Sequence, residues 1–169
     1  MHRDIKPANI LVHRNGSAKI VDLGLARRSN AGDVRDGKRR GVAGTPGYIA
    51  PELYFDPGLA DFRSDIYALG VTLYEAVIGR PPFPADDAES NKQQHLNDVP
   101  PPAHELASDI PMSFSRLLSW MLAKDPSQRP FSNARLIEGF EQVLADLEAI
   151  ARRMRAPNTR RKRVRTLPR

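Results

Sequence analysis

Residues His2–Leu11 read HRDIKPANIL. The acid Asp4 is followed two residues later by the cation Lys6, and five residues later by the amide Asn9. An apolar run, Asn9–Val12, leaves this segment, and Asn15-Gly16 comes next. Asn-Gly is the strongest short-range hairpin signal, because both residues tolerate positive φ. Ala18–Val21 then reads as the returning strand. From Leu25 to Gly47 periodicity fades. Ahead of Thr45, four glycines (Gly32, Gly37, Gly41, Gly44) and six Lys/Arg mark a long exposed loop. Loops of that length are usually functional or disordered.

Helical signals take over after Pro57. Ser64 is placed to cap a helix over Asp65–Ile78, stopped by Gly79 and Pro81-Pro82, with Ile66, Leu69, Leu73 and Val77 on one face. A short helix fits near Ala88–Leu96. Phe114, Leu117, Leu118 and Met121 recur at helical spacing and end before Pro126, with Trp120 expected in the core. A last helix carries Leu136, Ile137, Phe140, Val143, Leu144 and Leu147, opened by Ser132 as cap. One hairpin followed by helices is an α+β pattern, mainly α-helical. No internal repeat is visible.

Composition bounds the chemistry. At 169 residues, one domain with a real core is expected. The chain has no cysteine, which removes disulfides, thiolate catalysis and cysteine-ligated zinc, and suits a cytoplasmic setting. The four histidines (His2, His13, His95, His104) show no metal-ligand spacing. The opening MHRDIKPANI has no apolar signal region, and the apolar stretch 66–78 contains Glu75 and is too short to span a bilayer. The net charge of +6 is lopsided: residues 151–169 hold nine of the 26 Lys/Arg and no acid, so residues 1–150 carry seventeen basic against twenty acidic residues. A basic face for nucleic acid is therefore not indicated on the body, and no specific nucleic-acid partner is expected. The tail 151–169 is expected to be disordered. Its sharper readings are contact with an anionic membrane surface, beside an anchor in a longer parent, or weak nucleic-acid binding.

HRDIKPAN matches the pattern H-R-D-x-x-x-x-N of protein kinases. Thirteen residues after Asn9 comes Asp22, in DLGLA, where that family has D-F-G. GTPGYIAPE over Gly44–Glu52, DIYALG from Asp65, GRPPF from Gly79 and KDPSQRP over Lys124–Pro130 follow in the family's order. Over residues 1 to about 150 the chain thus resembles a bacterial Hanks-type serine/threonine kinase. The resemblance implies a kinase-like C-lobe with one short β-hairpin and an extended activation loop. It implies that Asp4 orients or accepts the proton of the attacking hydroxyl and that Lys6 neutralises charge on the transferred phosphoryl group and contacts the nucleotide. Asn9 and Asp22 would bind Mg2+, with Mn2+ the other candidate ion, and through it ATP. Thr45 and Tyr48 would shape the substrate-docking loop, with Thr45 bonded to Lys6 and Asp4. Asp65 would anchor the catalytic loop through backbone N–H bonds, and Glu52 would pair with Arg129. His2 would be structural, bonding backbone. Lys6 matches the serine/threonine class, so proteins bearing Ser or Thr are the implied partners. Leu23 replaces the usual Phe, which leaves the usual packing switch in doubt. Ser29 is the one hydroxyl between Asp22 and Thr45, either an autophosphorylation site received by Arg3 or a solvated loop serine.

Within these residues there is no glycine-rich phosphate loop and no V-A-I-K strand lysine. The expectation is a C-lobe cut before its catalytic loop, with Met1 a miscalled start or the product of a broken gene. Two functions stay open: a serine/threonine kinase, or a catalytically inactive remnant serving as an interaction module.

Overall fold

The computed structural model describes residues 1–24 and 44–155. Ser29 and most of the 25–47 loop lie outside the described residues, as does the chain beyond Arg155.

The expected hairpin forms, one residue shorter in each strand. β1 (Ile10–Val12) and β2 (Ala18–Ile20) run antiparallel, with Leu11 opposite Lys19. Gly16 takes φ +85° in the turn, and the Ser17 amide donates to Asn15 Oδ1 at 3.0 Å. Just beyond the ladder, the Val21 amide reaches the Asn9 carbonyl at 2.9 Å.

Among the described residues six α-helices follow: α1 (Pro51–Phe55), α2 (Phe62–Ile78), α3 (Ala88–Asn97), α4 (Ala103–Leu106), α5 (Met112–Met121) and α6 (Asn133–Arg155). α2 is the axis. It starts earlier than expected, because Asp61, not Ser64, is its cap: the carboxylate accepts the Arg63 amide at 2.8 Å. Ser64 sits buried inside the first turn and donates instead to Glu52. The other end is as expected, with Gly79 in the left-handed region at φ +81° and its amide on the Glu75 carbonyl.

Two apolar clusters flank α2. One joins Tyr67, Val71 and Tyr74 to Ile49, Ala50, Leu53, Leu118 and Leu122; the other joins Ile66 to Leu117, Met121, Leu136 and Val143. A helix covered on two sides has no single apolar stripe. Of the expected stripe only Ile66 is buried, and Val77 is 39% exposed. At Gly70 the backbones of α2 and α5 come so close that a Cβ would lie 3.0 Å from Met121 Cβ. α5 turns Leu117, Leu118 and Met121 inward, which leaves Trp120 on its outer side, 37% exposed rather than in the core. Ser132 caps α6 as expected, its hydroxyl accepting the Arg135 amide. α6 then continues through Ala151–Arg155, so the basic segment begins as helix; arginine and alanine are good helix formers. No described helix is long and apolar enough to cross a membrane.

Candidate active site

The segment His2–Asn9 is pinned from below by the first turn of α2. Asp65 Oδ2 accepts the His2 amide and Oδ1 the Arg3 amide, both at 2.8 Å. Arg3 has φ +70°, a conformation that an L-residue adopts only when its surroundings impose it. Two hydrogen bonds to one carboxylate supply that constraint. The His2 ring braces the other side, Nε2 on the Val21 carbonyl at 3.1 Å.

Held this way, Asp4 is the centre of a closed polar network. Its Oδ1 accepts the Thr45 amide at 3.0 Å and the Thr45 hydroxyl at 2.7 Å. Its Oδ2 pairs with Lys6 Nζ at 2.8 Å and accepts Asn9 Nδ2 at 3.1 Å. Lys6 Nζ also donates to Thr45 Oγ1 at 2.6 Å. One threonine hydroxyl thus bridges the acid and the cation. Burial pushes the Asp4 carboxyl up, but the bonds from Lys6, Thr45 and Asn9 and the Lys6 charge outweigh it and hold the group below the ordinary carboxylate range. Asp4 is therefore an ionised acceptor at neutral pH.

Asn9 is buried, and its Nδ2 also donates to the Asp4 carbonyl at 2.8 Å. With the nitrogen so committed, the amide oxygen is the atom left for a cation. Asp22 follows Val21, whose amide is bonded to the Asn9 carbonyl, so the end of β2 lies beside Asn9. Asp22 has φ +63°, and its Oδ1 accepts the Gly24 amide at 3.2 Å. Asn9 and Asp22 offer amide and carboxylate oxygens, the donor set of a hard divalent ion. Among the described residues no group of three or more His, Asp or Glu could hold a metal. A cation here would draw its remaining ligands from water or phosphate oxygens, as Mg2+ commonly does.

The other sequence-marked residues lie outside this network. The Tyr48 hydroxyl donates to Glu75 Oε2 at 2.5 Å; burial first, then that bond and the Glu75 charge, push the phenol far up. Glu52 and Arg129 form a buried two-bond fork.

A family model for the protein kinase domain matches residues 1–140. The chain belongs to the protein kinase domain family. Among similar proteins, serine/threonine-protein kinase RUNKEL of Arabidopsis thaliana is 43% identical over 127 residues, 75% of this chain and 9% of the relative. The DNA damage-responsive serine/threonine-protein kinase RqkA of Deinococcus radiodurans is 40% identical over 154 residues, 90% of this chain and 21% of the relative. Serine/threonine-protein kinase PknL of Mycobacterium tuberculosis is 37% identical over 160 residues, 95% of this chain and 38% of the relative. The chain therefore spans well under half the length of these relatives.

This kinase-family chain also carries a buried histidine beside a partly buried lysine, a pair that sequence reasoning missed. His95 on α3 is 1% exposed, bonded through Nδ1 to the Tyr67 hydroxyl at 2.9 Å, its ring edge-on to Phe83. Burial and then the Lys124 charge pull it down to about 4. Lys124 Nζ donates to the carbonyls of His95 (2.7 Å) and Gln94 (3.2 Å) and stands 4.0 Å from the Phe83 ring centre. Burial is the main cause that draws it down to about 8. The lysine opens KDPSQRP, so the motif itself was the available signal; nothing local marks His95.

Proposed function

We propose that this chain forms the acceptor-side and metal-side half of a serine/threonine protein kinase, the C-lobe of the domain. The observation that carries the reading is the Thr45 hydroxyl bonded to both Asp4 and Lys6, which ties the loop that would receive the protein substrate to the acid and cation of the reaction.

In this reading a substrate serine or threonine oxygen attacks the γ-phosphorus of ATP, the bond to the bridging oxygen breaks, and ADP leaves. Asp4, ionised and fixed by four donors, orients the attacking hydroxyl and takes up its proton as the new bond forms. Lys6 moves its charge from Asp4 toward the transferred group. Asn9 and Asp22 would hold a divalent cation, which would supply neutralisation of the phosphate charge. Such catalysis is almost all positioning and electrostatics, so the rigidity that Asp65 imposes on residues 2–4 is part of the mechanism.

The test joins residues 1–169 to the nucleotide-binding half of a relative such as PknL and measures ATP-dependent phosphorylation of serine peptides. Transfer that falls at least a hundredfold in Asp4→Asn and is lost in Asp22→Ala supports the reading. Transfer insensitive to both would overturn the roles given to Asp4 and Asp22, and no transfer at all would leave the interaction-module reading in its place.

A further inference from the structure

The Thr45 hydroxyl is only as well placed as the backbone that carries it. Residues 45–48 form a tight turn: the Tyr48 amide donates to the Thr45 carbonyl at 3.1 Å, Pro46 stands at the second position, and Gly47, with φ +90°, at the third. Those are the residues and the φ of a type II turn, in which proline presets one dihedral and glycine supplies the positive one. The turn rests on α3. Asn91 and His95, one helical turn apart, both face Gly47: a Cβ on Gly47 would stand 3.9 Å from Asn91 Oδ1, and the His95 ring hydrogen-bonds the Gly47 backbone. That bond favours the charged ring, so the ring donates and the Gly47 carbonyl accepts. The tautomer follows. Burial pushes the Tyr67 phenol far up, so Tyr67 keeps its proton and donates to His95 Nδ1 at 2.9 Å, and Nε2 carries the ring proton to Gly47. α2 thus reaches the reacting groups along two routes. Asp65 holds the amides of His2 and Arg3, just before Asp4; Tyr67, two residues along the same helix, seats the ring that holds Gly47, two residues after Thr45. The routes meet where the Thr45 amide and hydroxyl bond Asp4 Oδ1.

We propose that His95 is a positioning residue for phosphoryl transfer: seated on the Tyr67 hydroxyl, its ring holds the Gly47 carbonyl and thereby fixes the Thr45–Tyr48 turn that sets Thr45 on Asp4 and Lys6. His95 touches none of the reacting groups and acts through the turn alone. Its own seat is rigid, since the ring is 1% exposed and edge-on to Phe83, and Lys124 clamps the last turn of α3 through the His95 and Gln94 carbonyls. The catalytic consequence rests on the kinase reading of the Asp4 site; the bonding has its own readout.

That readout is amide hydrogen exchange on the 169-residue chain. His95→Leu keeps an apolar side chain in place but has neither acceptor nor donor. The Thr45 and Tyr48 amides should then speed up about fivefold more than the core amides of Leu118 and Leu122, as for the loss of one neutral hydrogen bond. His95→Gln, whose amide nitrogen can take the place of Nε2, should restore slow exchange at Thr45 and Tyr48. A side chain that merely filled space would gain nothing from the polar glutamine. Should His95→Leu fail to fold, Tyr67→Phe decides: it leaves the ring, removes the hydroxyl that seats it, and should speed up the same two amides. No excess acceleration at Thr45 and Tyr48 over Leu118 and Leu122, or no repair by glutamine, overturns the proposal. In the PknL chimera, His95→Leu should lower kcat about tenfold or more with the KM for ATP unchanged, and glutamine should recover most of the loss. Faster exchange combined with undiminished, Asp4-dependent transfer overturns the positioning role and leaves the kinase reading standing. A wild-type chimera that transfers nothing sinks the kinase reading and the catalytic role of His95 with it, whatever the exchange shows of the bond to Gly47.

Discussion

Arg129 donates all five of its guanidinium N–H groups inside the protein, two of them as a fork onto Glu52, 77 residues away in the sequence. The fork distances are 2.9 and 2.7 Å, and the carbonyls of Ala123, Arg63 and Lys124 take the other three. The guanidinium is fully buried and stacks 4.8 Å from the Tyr67 ring centre. Glu52 gains a further bond from Ser64. The pair therefore fastens the end of the 44–52 segment to α2 and to the turn before α6.

Removing either half leaves an uncompensated buried charge, which costs about 3–5 kcal/mol. Arg129→Ala and Glu52→Ala should each lower urea-unfolding stability by that amount. Arg129→Lys should recover little, because a lysine has neither the fork nor five donors. A loss below about 1 kcal/mol in Arg129→Ala would show that the fork is not the fastening it looks to be.

Asp65 gives a second, more local expectation. Asp65→Ala removes the acceptor of two backbone bonds and releases the positive φ of Arg3. A stability loss of about 1–3 kcal/mol follows from the orphaned amides. The sharper readout is hydrogen exchange: the His2 and Arg3 amides should lose protection while those of α5 keep theirs. Unchanged protection at both positions would refute the anchoring role.

What the sequence made legible follows from the range of each interaction. The Asn15-Gly16 turn and the Gly79 stop depend on a residue's own φ and read correctly. The α2 cap did not, since Asp61 and Ser64 compete within four residues and only the packed structure gives Ser64 to Glu52. The stripe on α2 misread because periodicity assumes one buried face, whereas α2 is covered on two. Trp120 is the opposite case: it falls between the stripe positions of α5, so the periodicity that turned Leu117, Leu118 and Met121 inward already pointed it outward. Within the site, Asp4, Lys6 and Asn9 are close in sequence. Thr45 and Asp65 reach Asp4 and its flanking amides across roughly forty to sixty residues, and only the family resemblance joined them. His95 lay beyond both routes, because its burial is created by α3 docking against Phe83 and Tyr67.

That docking sets a pH dependence. His95 is held at about 4 when folded, against an ordinary value of 6.5. Its folded value lies below its unfolded value, so the unfolded chain binds the proton first. The stabilisation is full above about pH 6.5 and is lost as pH falls toward 4, a change of about 3 kcal/mol. His95→Gln should flatten the stability profile between pH 4.5 and 6.5. The lowered carboxyls of Asp4, Asp61 and Asp125 act at lower pH and do not confound that window. An equally steep slope in His95→Gln would assign the dependence elsewhere.

The last expectation concerns the acid itself. Asp4 stays ionised against its burial through three neighbours of unequal weight. Lys6 contributes both a hydrogen bond and a full charge, Thr45 a hydroxyl bond, and Asn9 a longer bond at 3.1 Å. Carboxyl NMR titration of the chain should therefore find the Asp4 pKa rising most in Lys6→Met, less in Thr45→Ala and least in Asn9→Ala. Thr45→Ser keeps the donor and should leave the value near wild type. Thr45→Ala retains the backbone amide on Oδ1, which is why its effect should stay below that of Lys6→Met. The ordering separates electrostatic tuning from loosened structure: a general loss of order would move all three variants alike and would not be repaired by serine. If Thr45→Ala shifted Asp4 as far as Lys6→Met, the hydroxyl bridge, not the ammonium charge, would be the main force holding the acid ionised.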